Sequence, residues 1–488
     1  MEFSAENLLG RRGVLWAVGA LAVILFLVTN LPWQLDDYDQ AKQAFASFEM
    51  VNEGHWLYQH TPHERVATKP PLVAWISAGL FALTRSWDVA WRLPSVAAAI
   101  ATSILLFRTG TAFGLAGGLV AAGAFAFNLL TPRLATLVRT DMPLALAIFL
   151  IGFLIWEKVR KREAWSSRDR SWIFVLLTAA MLIKGPIVYA FLLPGIAMFE
   201  WRRRKSENVR AWCGWWPWLA SLGVFLVWVI AGSIFVPGFF DQVVVREFVA
   251  RFGETVHRPQ PLLFYLPHLL QKFFPWSVLM IVLAFVDLRA RRWNVRAAFR
   301  EMSPETFWLV SWILGGLIVM SIVPSKRVDR IFPVIPPLCL LLGPQVGGIS
   351  SNEEWRERVY RWSAAALLLA ILFTSGYAVS KVISGYRGHR DALMTFGHEV
   401  RRETQSHHWR YEAIAGSHEG MLLYLERAHF IQPDRAVAEW NRGNLDALVV
   451  PIEEAPELMR LLHDAALSRL QSGERKDERG MGYVLISR

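Results

Sequence analysis

The chain has 488 residues, of which 54% are hydrophobic, with a formal charge of +11 and only two cysteines. Soluble domains run at roughly 45–50% apolar, and here the excess is concentrated in runs of membrane length between residues 14 and 381. The basic residues form short clusters between those runs instead of a continuous stripe, which argues against a nucleic-acid partner. Cys213 and Cys339 lie far apart and read as small buried apolar residues.

Arg11 and Arg12 precede an apolar run from Val14 to Leu31 that is long enough to span and has no small-residue cleavage site after it. This predicts a retained first helix with a cytoplasmic N-terminus. The basic clusters at 158–162, 202–205, 289–292 and 356–361 then mark cytoplasmic loops. Working outward from them gives about thirteen spans. They lie at 14–31, 71–86, 93–108, 113–126, 127–140, 142–157, 172–185, 187–201, 215–236, 273–289, 306–323, 329–347 and 362–381. Trp33, Trp201, Trp276 and Trp293 stand at run ends, where amphipathic rings favour the headgroup level.

The expected fold is a polytopic all-α membrane bundle over 1–381, followed by a small soluble α/β domain over 382–488. In that domain 413–416, 447–451 and 482–486 read as strands, and 420–427 and 453–470 as helices. An odd number of spans places this domain outside the cytoplasm. It also places the loops 32–70 and 237–272, the stretch around Arg139–Asp141 and the short segment Pro324–Arg327 on that side. Within 32–70, residues 41–51 suit an interfacial helix, with Ala44, Phe45, Phe48 and Val51 on one face.

These outer segments hold the candidate chemistry. Asp36, Asp37 and Asp39 follow the first span directly, and a carboxylate facing a hydroxyl suits general-base work. Lys69, Lys184, Lys326, Arg327, Arg246, Arg251 and Arg258 are cations on the side where the positive-inside rule does not expect them. Snorkelling to lipid headgroups explains any one of them alone. A lipid phosphate as ligand explains their concentration, since fixed cations neutralise charge on a departing phosphate. His55, His60 and His63, with Glu53, are the candidate ligands for a divalent metal. Their spacing matches no zinc pattern, a polar loop explains them equally well, and no metal is required.

The motifs also carry a family resemblance. Asp39, Glu49-Met50, Gly54-His55-Trp56, Lys69-Pro70-Pro71-Leu72, Trp75 and Arg92-Leu93-Pro94-Ser95 follow in order. Thr140-Asp141-Met142-Pro143, Lys184-Gly185-Pro186, Phe274-Pro275-Trp276, Ser325-Lys326-Arg327 and Pro333 continue the series. The succession resembles the bacterial aminoarabinose transferases and protein O-mannosyltransferase-like enzymes of the C-type glycosyltransferase superfamily. The resemblance implies an undecaprenyl-phosphate sugar donor, inverting transfer, and a bacterial inner-membrane enzyme with no nucleotide sugar bound. It implies Asp39 as the catalytic aspartate, Asp141 as a second acidic position and Lys69 as a cation near the donor phosphate. Lys184, Arg258, Lys326 and Arg327 are the further outer cations expected to hold that phosphate. Family members commonly follow that aspartate with a second acid, and here Gln40 stands in its place. A glycolipid or lipopolysaccharide acceptor is expected. A protein hydroxyl is the alternative acceptor, and a transporter of lipid-linked sugars is the alternative class.

Overall fold

The computed structural model describes residues 5–9, 11–35, 38–202, 209–249, 259–350, 353–416, 418–472 and 482–488. Among these, six helices are long and apolar enough to cross a membrane: Trp87–Phe113, Asp141–Lys161, Trp216–Phe235, Pro304–Ile322, Val328–Ser350 and Glu353–Arg387. The pair Tyr265–Lys272 and Trp276–Ala290, bent by 100°, makes a seventh if taken as one span. Arg12–Val28 and Leu115–Ala126 are shorter apolar helices, and Ser167–Lys184 and Ile187–Arg202 complete the bundle. Among the described residues, eleven helices thus run between its two ends, where the sequence predicts thirteen spans.

Two expected spans account for the difference. Residues 127–140 hold only the five-residue helix Thr131–Ala135. Asn128 breaks the run: its side-chain oxygen accepts from the N–H groups of Leu130 and Thr131, and its amide donates to the carbonyls of Ala124 and Phe125. Trp276 Nε1 donates to the Phe127 carbonyl at 2.8 Å. Phe127, Leu130, Leu134 and Ala135 are buried, so this segment is apolar because protein surrounds it. Irregular backbone at membrane depth is tolerated in that setting.

The other is 71–86. Its helix is Leu72–Thr84. Both of its ends lie on one side of the bundle. The chain enters it from Lys69 and leaves it towards Trp87, whose ring stacks on Phe81 and lies 5.6 Å from Phe48 of the helix Tyr38–Glu53. Trp91 Nε1 donates to Ser47 Oγ of that helix at 2.9 Å. Residues 41–51, expected as an interfacial helix, lie within Tyr38–Glu53; protein buries Gln40, Ala41 and every residue from Gln43 to Met50, and Val51 is exposed.

Close packing inside the bundle relies on glycine where Ile187–Arg202 meets Pro304–Ile322. A Cβ added at Gly315 would lie 2.5 Å from the Gly195 nitrogen. Small residues allow backbones to approach in this way where lipid supplies no hydrophobic drive between helices.

The helix Glu353–Arg387 runs unbroken through residue 381 and leads into a C-terminal α/β unit. Its strands are β1 (Tyr411–Ala413), β2 (Ala447–Pro451), β3 (Ala466–Gln471) and β4 (Tyr483–Ser487), in the order β1-β2-β4-β3. β1 and β2 are parallel, and β4 runs antiparallel to both β2 and β3. The second and third predicted strands match, and the first lies slightly earlier, at 411–413. The helix predicted over 453–470 is half wrong: it ends at Leu461, and 466–471 form β3. Trp440 Nε1 donating to the His463 carbonyl, and Asn441 accepting from His463 N–H, turn the chain there. The unit shares a core with the outer helix, in which Leu35, Phe45, Phe48 and Trp91 join Phe396, Val400 and Leu422.

Candidate active site

Nearly every outer segment converges on one cavity of about 590 Å³. Asp39 lies in the first turn of Tyr38–Glu53, and Asp141 is the first residue of Asp141–Lys161. Helix N-termini favour anionic side chains in this position. Lys184 is the last residue of Ser167–Lys184, the end that favours a cation. Its Nζ meets Asp141 Oδ1 at 2.5 Å. Gly185, at φ +76°, then turns the chain back into the bundle.

A linked set of ion pairs forms the floor. Arg327 Nη1 donates to Asp39 Oδ2 at 2.8 Å, and Arg139 Nη2 lies 3.4 Å from the same oxygen. Arg139 Nη1 also donates to Asp329 Oδ2 at 2.9 Å, with Arg133 and Arg327 at 3.9 and 3.8 Å from that carboxylate. Burial by itself raises the Asp39 carboxyl. The hydrogen bond from Arg327 and the charges of Arg139, Arg327 and Lys69 outweigh it and hold the group below its ordinary value.

Among the described residues the cavity lining carries three carboxylates, Asp39, Asp141 and Asp329, against eight cations: Lys42, Lys69, Arg133, Arg139, Lys184, Arg246, Arg327 and Arg330. The excess of positive charge in a recess suits a phosphate-bearing ligand.

Asp39, Asp141, Lys69, Lys184, Arg246 and Arg327, all singled out from the sequence, therefore stand together. Lys326 does not join them. Its Nζ donates to the Gln260 carbonyl at 3.0 Å, and the residue is buried away from the cavity lining. Neighbours in an extended segment point to opposite sides, so Arg327 faces the cavity and Lys326 turns from it. Arg258, with Asp36, Asp37, Arg251 and His257, lies outside the described residues. Gln40, where a second acid was expected, is buried and accepts from Val138 N–H at 3.2 Å.

Sequence reasoning missed Arg133, Arg330 and Asp329. Arg133, Asp329 and Arg330 were hidden inside predicted spans, although Arg133 follows Pro132 directly, and a charge next to proline in an apolar run is itself a signal that the run is interrupted.

A second cavity of about 270 Å³ adjoins the first and shares Arg133 and Arg139 with it. Arg92, Lys381 and Arg390 add to its lining, which holds no carboxylate among the described residues.

The histidines separate. His55 Nδ1 and His60 Nδ1 both meet Glu49 Oε1, at 2.8 and 2.6 Å. His63 leaves the group: its ring stacks on Phe430 and its Nε2 lies 3.8 Å from Glu419. Glu49, absent from the predicted ligands, is at the centre of the cluster.

Residues 68–234 match the family model described as dolichyl-phosphate-mannose-protein mannosyltransferase. The chain is 27% identical over 356 residues to the undecaprenyl phosphate-alpha-4-amino-4-deoxy-L-arabinose arabinosyl transferase 1 of Sodalis glossinidius, a match covering 71% of this chain and 61% of that relative. A transferase of the same description from Aeromonas hydrophila is 25% identical over 391 residues, covering 76% of this chain and 67% of the relative. The chain thus matches under two thirds of the Sodalis relative's length. In fold it is similar to ArnT from Cupriavidus metallidurans bound to undecaprenyl phosphate, with a TM-score of 0.69 at 16% identity, covering 97% of this chain and 98% of that one.

Proposed function

This chain belongs to the aminoarabinose transferase-like family of the C-type glycosyltransferase superfamily, and from that premise we propose that it transfers a sugar from a polyprenyl phosphate to an acceptor outside the cytoplasm. The observation that carries the proposal is the cavity itself, where Asp39 and Lys69 share a recess rich in cations. Its orientation follows from charge. Lys158 to Arg162, Arg202, Arg289 to Arg292 and Arg356 to Arg361 all lie at the bundle end opposite the cavity, where the positive-inside rule predicts cytoplasm. Losing two spans from thirteen leaves an odd number, so the C-terminal unit remains on the cavity side. The protein is accordingly a multi-pass protein of the bacterial inner membrane with its N-terminus in the cytoplasm.

The reaction is a displacement at the anomeric carbon. The acceptor oxygen forms the new bond, the bond to the phosphate oxygen breaks, and its electron pair leaves with the lipid phosphate. Lys69 and Arg327, with Lys184 and Arg246 nearby in the lining, stabilise that charge, and Asp141 fixes the Lys184 ammonium. Asp39 orients the acceptor hydroxyl and receives its proton as the new bond forms. A carboxylate held below its ordinary value is a weak base, so positioning and charge stabilisation carry most of the rate.

The cations of the adjoining cavity support a phosphorylated glycolipid over a protein as acceptor. Arg92, Arg133, Lys381 and Arg390 would meet anionic groups beside the reacting oxygen.

The test is mass spectrometry of envelope lipids and glycoproteins from strains deleted, complemented, and complemented with Asp39→Asn or Lys69→Ala. Loss of one sugar mass from a glycolipid, with build-up of the polyprenyl-phosphate sugar in the deletion and in both variants, is expected. A shift in glycoprotein masses alone would move the acceptor to protein. Full transfer by both variants would sink the proposal.

A further inference from the structure

One cluster outside the cavity is built from metal-binding side chains. Glu49, His55 and His60 each offer one ligand atom within 4.8 Å of the others, with the Glu49 side chain only 3% exposed. We propose that Glu49, His55 and His60 bind one divalent ion of the zinc class, which ties the loop 55–67 to the helix Tyr38–Glu53 and so holds one wall of the cavity.

Two imidazoles and a carboxylate form a donor set that suits zinc among the common biological cations, whereas calcium and magnesium prefer oxygen alone. Zinc bonds of about 2.0–2.1 Å at tetrahedral angles set ligand atoms about 3.3 Å apart. The two Glu49 contacts are 2.6 and 2.8 Å, so an opening of under an ångström admits the ion. Glu53 stands one turn after Glu49, on the same helix face. Its Oε2 is 3.7 Å from His55 Nδ1, which makes it the nearest candidate for the fourth position.

The supporting contacts are those of an oriented ligand. Glu49 Oε2 accepts the His60 backbone N–H at 2.5 Å, which fixes the carboxylate and presents Oε1 to both rings. Burying this carboxylate calls for a compensating cation, and a metal supplies one. His55 and His60 are partly exposed, leaving solvent access to the cluster.

The place in the fold gives the ion its task. His60 pairs with Val66, and Ala67 N–H donates to the Gln59 carbonyl at 2.7 Å, making 59–67 a short two-stranded loop. Gln59, Ala67, Thr68 and Lys69 line the cavity. An ion at the base of this loop restrains the segment that delivers Lys69, as a structural centre without a step in the reaction.

The experiment uses full-length protein purified in detergent through a tag without histidine. The protein is stripped with chelator, dialysed, and titrated with zinc chloride alone. Retained zinc is measured by elemental analysis after gel filtration, and its ligands by X-ray absorption at the zinc edge. One equivalent per chain, two imidazoles in the first coordination sphere, and a zinc-dependent rise in the unfolding midpoint are expected. His55→Ala and His60→Asn should each retain less than a tenth of an equivalent, while His63→Ala keeps the full equivalent. If His60→Asn fails to elute as a single species, the more exposed His55 supplies the deciding variant. No zinc on the unsubstituted protein, or equal retention by folded His55→Ala, would overturn the site. Both readouts are independent of sugar transfer, so failure here leaves the transferase proposal standing, and failure of transfer leaves this site testable.

Discussion

Arg327 Nη1 reaches Asp39 Oδ2 at 2.8 Å across 288 residues of sequence, joining the loop after Pro304–Ile322 to the first outer helix. The pair sets the charge of the proposed catalytic carboxylate. Because the folded Asp39 value is depressed, its charge and the stability it contributes are present above the ordinary value of 3.8. Both are lost only as pH falls through the lower folded value. Removing Arg327 leaves burial, the largest influence and the one that raises the carboxyl, opposed by Arg139 and Lys69 alone. Arg327→Ala should therefore move the acid limb of the kcat/KM profile to higher pH than in the unsubstituted enzyme. A profile that begins well below pH 3.8 measures this, and an unmoved limb would disconnect Asp39 from the rate.

Asp39→Asn keeps the size of the side chain and removes its charge. Transfer from a synthetic polyprenyl-phosphate sugar should fall by about 10²–10⁴-fold, the usual contribution of a positioned acid–base group. The unfolding midpoint should stay near that of the unsubstituted protein, since the side chain is 41% exposed.

Lys184 and Asp141 form a largely buried pair, with side chains 15% and 11% exposed. Lys184→Met strands the carboxylate and should destabilise the protein by about 3–5 kcal/mol. Adding Asp141→Asn removes the stranded charge and should recover a large part of that loss. Thermal unfolding of the two single variants and the double in one detergent gives the coupling.

Gly315 and Gly79 both lie in helices and differ in their surroundings. A Cβ at Gly315 meets the Gly195 backbone at 2.5 Å, whereas one at Gly79 meets nothing within 4 Å. Gly315→Ala should cost about 1–3 kcal/mol through overpacking. Gly79→Ala should be neutral or stabilise by about 0.5–1 kcal/mol through helix propensity. Equal effects of the two on unfolding would show that the Gly315 contact is not tight.

Tyr424 carries the dock between the C-terminal unit and the bundle, its hydroxyl accepting the Leu35 backbone N–H at 2.5 Å. Tyr424→Phe leaves that buried donor without its acceptor, at a cost of about 1–3 kcal/mol. Faster hydrogen exchange around Leu35, with the remainder of the bundle unchanged, is the expected result.

The sequence by itself determined the apolar runs, the basic clusters that orient them and the order of the motifs. It also determined six side chains that stand in one cavity: Asp39, Lys69, Asp141, Lys184, Arg246 and Arg327. These were legible because charge beside a membrane-length run is costly and so marks a position that has a partner or a task.

Only the tertiary structure decided what the apolar runs were buried in. Residues 127–140 and 71–86 are as apolar as a span, yet the first is a loop enclosed by protein and the second a helix with both ends on one side. Hydropathy reports that a segment avoids water and does not distinguish lipid from other helices. The same limit hid Arg133 and Asp329 within predicted spans and drew Lys326 into a site it does not line. It also kept Glu49 out of a cluster with His55 and His60. Which neighbours in sequence become partners depends on how distant helix ends are brought together, and local pattern carries no record of that.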